Sequence, residues 1–136
     1  MKWKVIATWT TGLLLLCTSI VFGDTPLAVK NLRCEYKTDP LGIDVRKPRL
    51  SWELVSAERA VLQTSYEIRV SGSEMDLAKG KTIWESGKQT SAASNQVEYG
   101  GSPLESGRIY YWQVRVADNH GHLSEWSKAA RWRLDC

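Results

Sequence analysis

Four places in this chain carry side chains able to do chemistry. In "DNHGHLSEWS", Asp118, His120 and His122 gather one carboxylate and two imidazoles, the donor types of a transition-metal site. No fourth ligand follows at zinc-type spacing, and Gly121 suits a hairpin turn, so turn chemistry is the expectation. In "DPLGIDVRKPRLSWEL", Asp39 and Asp44 offer two carboxylates for acid–base work. Such a pair needs a cleft that pushes its pKa values apart, whereas Pro40 and Gly42 spell a turn whose short carboxylates bond nearby backbone N–H groups. Cys34 carries a thiol, but no nucleophile-elbow motif accompanies it or either histidine. That leaves Tyr111 and Trp126, whose rings are expected outside the core. Three uses stay open for them: docking a neighbouring domain, packing locally, or stacking on a sugar ring. No catalytic residue, metal ligand or cofactor is expected.

The elements that position these residues read as strands. Apolar side chains alternate with polar ones, and helical i, i+3, i+4 patterning is scarce. "NLRCEY" points Leu32, Cys34 and Tyr36 one way. "RLSWEL" does the same with Leu50, Trp52 and Leu54. "SYEIRVSG" sets Tyr66, Ile68 and Val70 against Ser65, Glu67, Arg69 and Ser71. "TIWESG" is a short strand that stops at Gly87, and "NQVEYGG" holds Val97 and Tyr99 before a glycine pair. "IYYWQVRVAD" sends Tyr110, Trp112, Val114 and Val116 inward and Tyr111, Gln113 and Arg115 outward; "AARWRL" closes the set with Trp132 and Leu134. "SEMDLAKG" is an ordered loop with room for one helical turn, capped by Ser73 and ended by Gly80. Pro48 cannot donate to a ladder and belongs just before a strand. Seven short strands with one-face alternation predict an all-β, antiparallel β-sandwich.

Size and charge agree with one such domain. The chain has 136 residues and a formal net charge of +3. Residues 1–23 have the order of a secretory signal peptide: Lys2 and Lys4, then the apolar run around Leu13–Leu16, then Gly23. Thr8, Thr10, Thr11 and Gly12 interrupt that run, which falls short of the ~20 apolar residues of a membrane span. The predicted sandwich therefore covers 24–136, the product is expected to be secreted or periplasmic, and no membrane span is expected after cleavage. Lipoprotein processing at Cys17 is the weaker alternative, because Leu16 before it is not small. Losing Lys2 and Lys4 leaves 16 basic residues against 15 acidic ones, with no basic cluster, so nucleic acid is excluded as a partner. Two cysteines remain, too few for a disulfide framework; the inward phase of Cys34 predicts a buried free thiol rather than a bridge to Cys136.

The "PRLSW" strand, the Leu104-to-Tyr110 spacing and the final "EWS" resemble a fibronectin type III or immunoglobulin-like sandwich. "LRCEY", "PLGID", "PRLSWEL", "QTSYEIRVS", "WESGKQTS" and "PLESGRIYYWQVRVADNHGHLSEWS", in that order, resemble the N-terminal β-sandwich module of bacterial α-L-rhamnosidases of glycoside hydrolase family 78. "LSEWS" is also similar to the WSxWS box of cytokine-receptor sandwiches, with Leu123 in place of the leading tryptophan. By that likeness Arg115, Arg131 and Arg133 are candidates to stack on Trp126 or Trp132.

In the rhamnosidase family the module precedes further β-domains and an (α/α)6 barrel that carries two acidic catalytic residues and inverts configuration. The chain ends at Cys136, just after the last expected strand, and holds no counterpart of those acids. The resemblance thus implies a non-catalytic accessory module of a secreted rhamnosidase, read as a truncated or fragmentary enzyme. Its expected partners are the enzyme's neighbouring domains and, as a further option, a rhamnose-containing glycan. Two other classes stay open: a stand-alone carbohydrate-binding module, and a surface adhesion or receptor-like domain that binds protein.

Overall fold

A computed structural model describes residues 27–136. The expected signal peptide at 1–23, including Cys17, lies outside the described residues. Seven strands and one short helix follow in order: β1 (Ala28–Cys34), β2 (Arg49–Val55), β3 (Gln63–Ser71), α1 (Glu74–Ala78), β4 (Trp84–Glu85), β5 (Val97–Glu98), β6 (Ile109–Asp118) and β7 (Ala130–Arg133). They form two sheets, ordered β1-β2-β5 and β4-β3-β6-β7, and every strand pair is antiparallel. This is the seven-stranded β-sandwich that the alternation predicts.

The period-two pattern fixes the register because slipping by one residue would expose the whole apolar set. Along β6 the inward side chains Tyr110, Trp112, Val114 and Val116 are all buried, and they meet Leu50, Trp52, Ile68, Val70, Tyr99 and Trp132 between the sheets. The aromatic rings interlock at oblique angles: Trp84 on Tyr99 at 5.0 Å, Tyr110 on Trp132 at 5.7 Å, Trp52 on Tyr66 at 5.2 Å. Burying one large side chain contributes on the order of 1.5–3 kcal/mol. That offsets the cost of the indole N–H groups of Trp112 and Trp132, which are buried with no hydrogen-bond partner among the described residues. Trp52 is better served: its Nε1 donates to Gln63 Oε1 at 2.9 Å, and Gln63 Nε2 donates in turn to the carbonyls of Ser91 and Ala93. Gly101 is required by close approach, since a Cβ there would sit 2.7 Å from Trp84 Cβ and 2.6 Å from Tyr99 Cζ.

Two corners lock the topology. Tyr110 Oη accepts a 2.7 Å hydrogen bond from Glu105 N, tying the start of β6 to the loop before it in the manner of a tyrosine corner. Residues 39–43, the supposed acid–base stretch, lace onto β7: Arg133 N donates to Pro40 O and Ile43 N to Arg133 O, with one isolated parallel bridge between Ile43 and Leu134. The stretch is scaffold. Asp39, however, does not bond nearby backbone; its Oδ1 accepts from Arg131 N on β7 at 3.0 Å.

Two local expectations need correction. Tyr36 does not join the inward set of β1, which ends at Cys34. Glu35 and Tyr36 both have positive φ (51° and 64°), the geometry of a primed turn closed by the mutual Cys34–Lys37 hydrogen bonds. Tyr36 is therefore exposed, with the Arg49 guanidinium 5.4 Å from its ring. Ser65 and Ser71 are buried although they lie on the outward phase of β3: a register shift between Gln63 and Ser65 turns one, and Ser71 Oγ donates to Lys81 O beyond α1. The helical turn itself forms as read, with Ser73 Oγ accepting from Asp76 N and Gly80 at φ 75° past its end.

Candidate functional site

The outer face of the β4-β3-β6-β7 sheet collects both candidate rings and most of the charged side chains near them. Register decides who meets whom. Glu67 lies opposite Arg115, Arg69 opposite Gln113 and Glu85, Ser71 opposite Tyr111, and Tyr111 opposite Arg131.

Trp126 sits in the extended segment between β6 and β7. That segment is held to β6 by two serines three residues apart, the repeat of a polyproline II turn. Ser124 N donates to Val116 O while Val116 N donates to Ser124 Oγ; Ser127 N donates to Val114 O while Val114 N donates to Ser127 Oγ. Each hydroxyl thus stands in for a missing strand carbonyl. Trp126 between them is half-buried, and two guanidiniums stack on its ring, Arg69 at 4.1 Å and Arg115 at 4.7 Å from the centroid. Both arginines are anchored elsewhere as well: Arg69 Nε donates to Gln113 Oε1 at 3.0 Å, and Arg115 pairs with Glu67 at 2.6 Å. Burial pulls the Arg69 guanidinium below its ordinary pKa, opposed by Glu85 and assisted by Arg115. A groove of ≈ 400 Å³ opens beside this stack, lined by Glu67, Arg69, Glu85, Gly87, Arg115 and Trp126.

The sequence expectation of arginine stacking is met by Arg115 and not by Arg131 or Arg133. Arg133 pairs instead with Asp135 at 3.1 Å. Arg69 was missed because its place depends on how β3 pairs with β6, which spacing within one strand does not reveal. Ser124 and Ser127 had a visible signal in the S-x-x-S repeat of "LSEWS".

Tyr111 is half-buried on the same face but in different surroundings. It separates two open depressions. One, of ≈ 500 Å³, is lined also by Ser73, Glu74, Arg108 and Ile109; the other, of ≈ 210 Å³, by Asp39, Glu74, Ala129 and Arg131. Neither depression includes Trp126, so the two candidate rings do not form one site.

The remaining chemistry-bearing groups lie elsewhere. Asp118 has a fully buried carboxylate that accepts from His120 N at 2.8 Å, His122 N at 2.9 Å and the His122 ring at 3.1 Å. Burial pushes its pKa up, but the hydrogen bonds from His122 and His120 outweigh that and hold it below the usual carboxylate range. The His120 ring meets Glu58, which joins the β2–β3 loop to the β6–β7 hairpin. Asn119 reinforces the junction through Leu62 N and Ala60 O. The Asp118, His120 and His122 cluster is thus turn chemistry with a loop-to-loop tie. Cys34 is buried and Cys136 exposed, both unbridged; burial first, and Glu35 second, raise the Cys34 thiol far above its ordinary pKa, so it stays protonated.

Sheet order, the tyrosine corner and the serine-tied segment before β7 define an immunoglobulin-like or fibronectin type III-like sandwich. A model of the Rha78A-like, N-terminal immunoglobulin domain matches residues 29–135, and the chain belongs to that family. It is 42% identical over 106 residues to an alpha-L-rhamnosidase of Streptomyces avermitilis, covering 78% of this chain and 10% of the enzyme. The crystal structure of the Streptomyces avermitilis alpha-L-rhamnosidase complexed with L-rhamnose superposes on 80% of this chain and 10% of its own, with a TM-score of 0.76 at 40% identity. The alpha-L-rhamnosidase of Dictyoglumus thermophilum gives a TM-score of 0.76 at 31% identity, over 79% of this chain and 12% of its own. The chain spans about a tenth of the length of the curated relatives it matches.

Proposed function

We propose that this domain is a non-catalytic accessory module of a secreted α-L-rhamnosidase, orienting and stabilising the domains beside it. The supporting observation is where the likeness falls: it is confined to an N-terminal immunoglobulin domain that makes up about a tenth of each relative. The internal chemistry is consistent with that reading, because two acids near the candidate rings serve structural partners, Glu67 on Arg115 and Asp39 on the backbone of Arg131. Secretion rests on the signal-peptide reading of residues 1–23.

The test is a graft. The Streptomyces avermitilis enzyme is prepared without its N-terminal immunoglobulin domain and, separately, with residues 27–136 of this chain in its place. Deletion is expected to shorten the thermal-inactivation half-life and the graft to restore it, while the 136-residue chain alone leaves p-nitrophenyl α-L-rhamnoside intact. A graft no more durable than the deletion, or turnover by the chain alone, overturns the reading.

A further inference from the structure

We infer that the Tyr111 end of the outer sheet face is where the following rhamnosidase domain docks, presenting an apolar side chain over the phenol ring and a carboxylate to Arg131. The inference rests on the accessory-module reading above and adds the face and the chemistry of its partner. Occupancy is the first argument. At the other end of the face Trp126 already carries two guanidiniums, whereas Tyr111 is flanked on both sides by open depressions of ≈ 500 and ≈ 210 Å³. Charge is the second. Arg131 is exposed and lies opposite Tyr111 in the ladder, yet its guanidinium has no carboxylate within ion-pair reach among the described residues. Asp39, which borders the same depression, spends an oxygen on the Arg131 backbone instead. A tyrosine beside an unpaired arginine is the combination that anchors interfaces, supplying ring area and a planar fork for a carboxylate.

Position is the third. The matched domain is N-terminal in relatives of which it forms a tenth, so in them the chain continues past the last strand of the sandwich. Here the residues after β7 run past the Tyr111 end. Gly107 N donates to Leu134 O at 2.6 Å, and Ser106 Oγ both accepts from Cys136 N and donates to Cys136 O. Gly107 and Arg108 border the larger depression. A domain that follows there starts beside the depression that Tyr111 borders.

The experiment uses the grafted full-length enzyme described above. Tyr111→Ala and Arg131→Glu are expected to shorten its inactivation half-life about tenfold each. Arg33→Glu, an equal charge reversal on exposed β1, is expected to leave it unchanged. Urea midpoints of the 136-residue chain carrying the same substitutions separate docking from folding: all three are expected near the parent value. Half-lives of Tyr111→Ala and Arg131→Glu equal to that of the graft overturn the docking face while leaving the accessory-module reading standing. A graft that restores nothing overturns both. Two further results would also overturn it: a dimer of the chain alone that Arg131→Glu dissociates, or calorimetric binding of L-rhamnose that Tyr111→Ala abolishes.

Discussion

The outer face of the four-stranded sheet has two halves that share strands β3 and β6 and differ in how far their chemistry is closed. Around Trp126 the two arginines and the flanking serines have partners inside the fold. Arg69 has Gln113 and the indole, Arg115 has Glu67 and the indole, and the serines on either side bond the backbone of β6. Around Tyr111 the depressions are open, and the Arg131 guanidinium has no ion-pair partner among the described residues. An aromatic residue on the outward phase of a strand is therefore no site by itself. What separates scaffold from docking surface is whether its neighbours are already taken.

The comparison breaks most directly at Trp126. Trp126→Ala removes a half-buried ring and two cation–π contacts, and the chain is expected to lose about 2–3 kcal/mol of unfolding free energy in urea. A loss below about 0.5 kcal/mol, the range of an ordinary surface substitution, would show that this half is no more closed than the other. Next in size is Ser127→Ala. It strands the buried Val114 N–H, which costs about 1–3 kcal/mol. Ser127→Thr keeps the hydroxyl and is expected to restore most of that, a rescue that simple crowding in the segment would not give.

These two cases also mark what the sequence could disclose. The β6 alternation announced Trp112, Val114 and Val116 as interior, since period two is a property of one strand and survives without knowing its neighbours. The Leu104-to-Tyr110 spacing resembled that of an immunoglobulin-like sandwich, and the structure adds the corner that Tyr110 Oη closes on Glu105 N. Tyr36 defeated the same logic: its strand ends two residues earlier in a turn built from Glu35 and Tyr36 with positive φ, residues that carry no glycine or asparagine signal. The Trp126 stack was half legible. Arg115 stands nearby in sequence, but Arg69 reaches the ring only through the β3–β6 register, a long-range fact. The identity of Tyr111 as a distinct half was not legible at all, because both rings simply read as outward. Only partners supplied by other strands tell them apart.

A smaller effect sharpens the contrast through charge. Glu67→Gln leaves Arg115 on the ring but removes its carboxylate, and for a pair about a quarter to a third exposed the expected loss is about 0.5–1 kcal/mol at low salt. The loss should shrink in 1 M salt, where the Debye length is near ~3 Å. A loss that ignores salt would mean Glu67 acts through packing, and the half would then be closed by shape rather than by charge.

The smallest expected effect carries the most weight for function. Tyr111→Ala in the 136-residue chain is expected to change unfolding free energy by less than about 1 kcal/mol, because the ring is half-covered, lies beside open depressions and has no hydrogen-bond partner among the described residues. A scaffold residue and a docking residue differ in which measurement notices their removal. The first lowers the urea midpoint of the domain alone, as Trp126→Ala should. The second leaves that midpoint in place and shows itself only when a neighbouring domain is attached. A midpoint for Tyr111→Ala that falls as far as that of Trp126→Ala would erase the difference between the two halves, and the outer face would be a single closed surface.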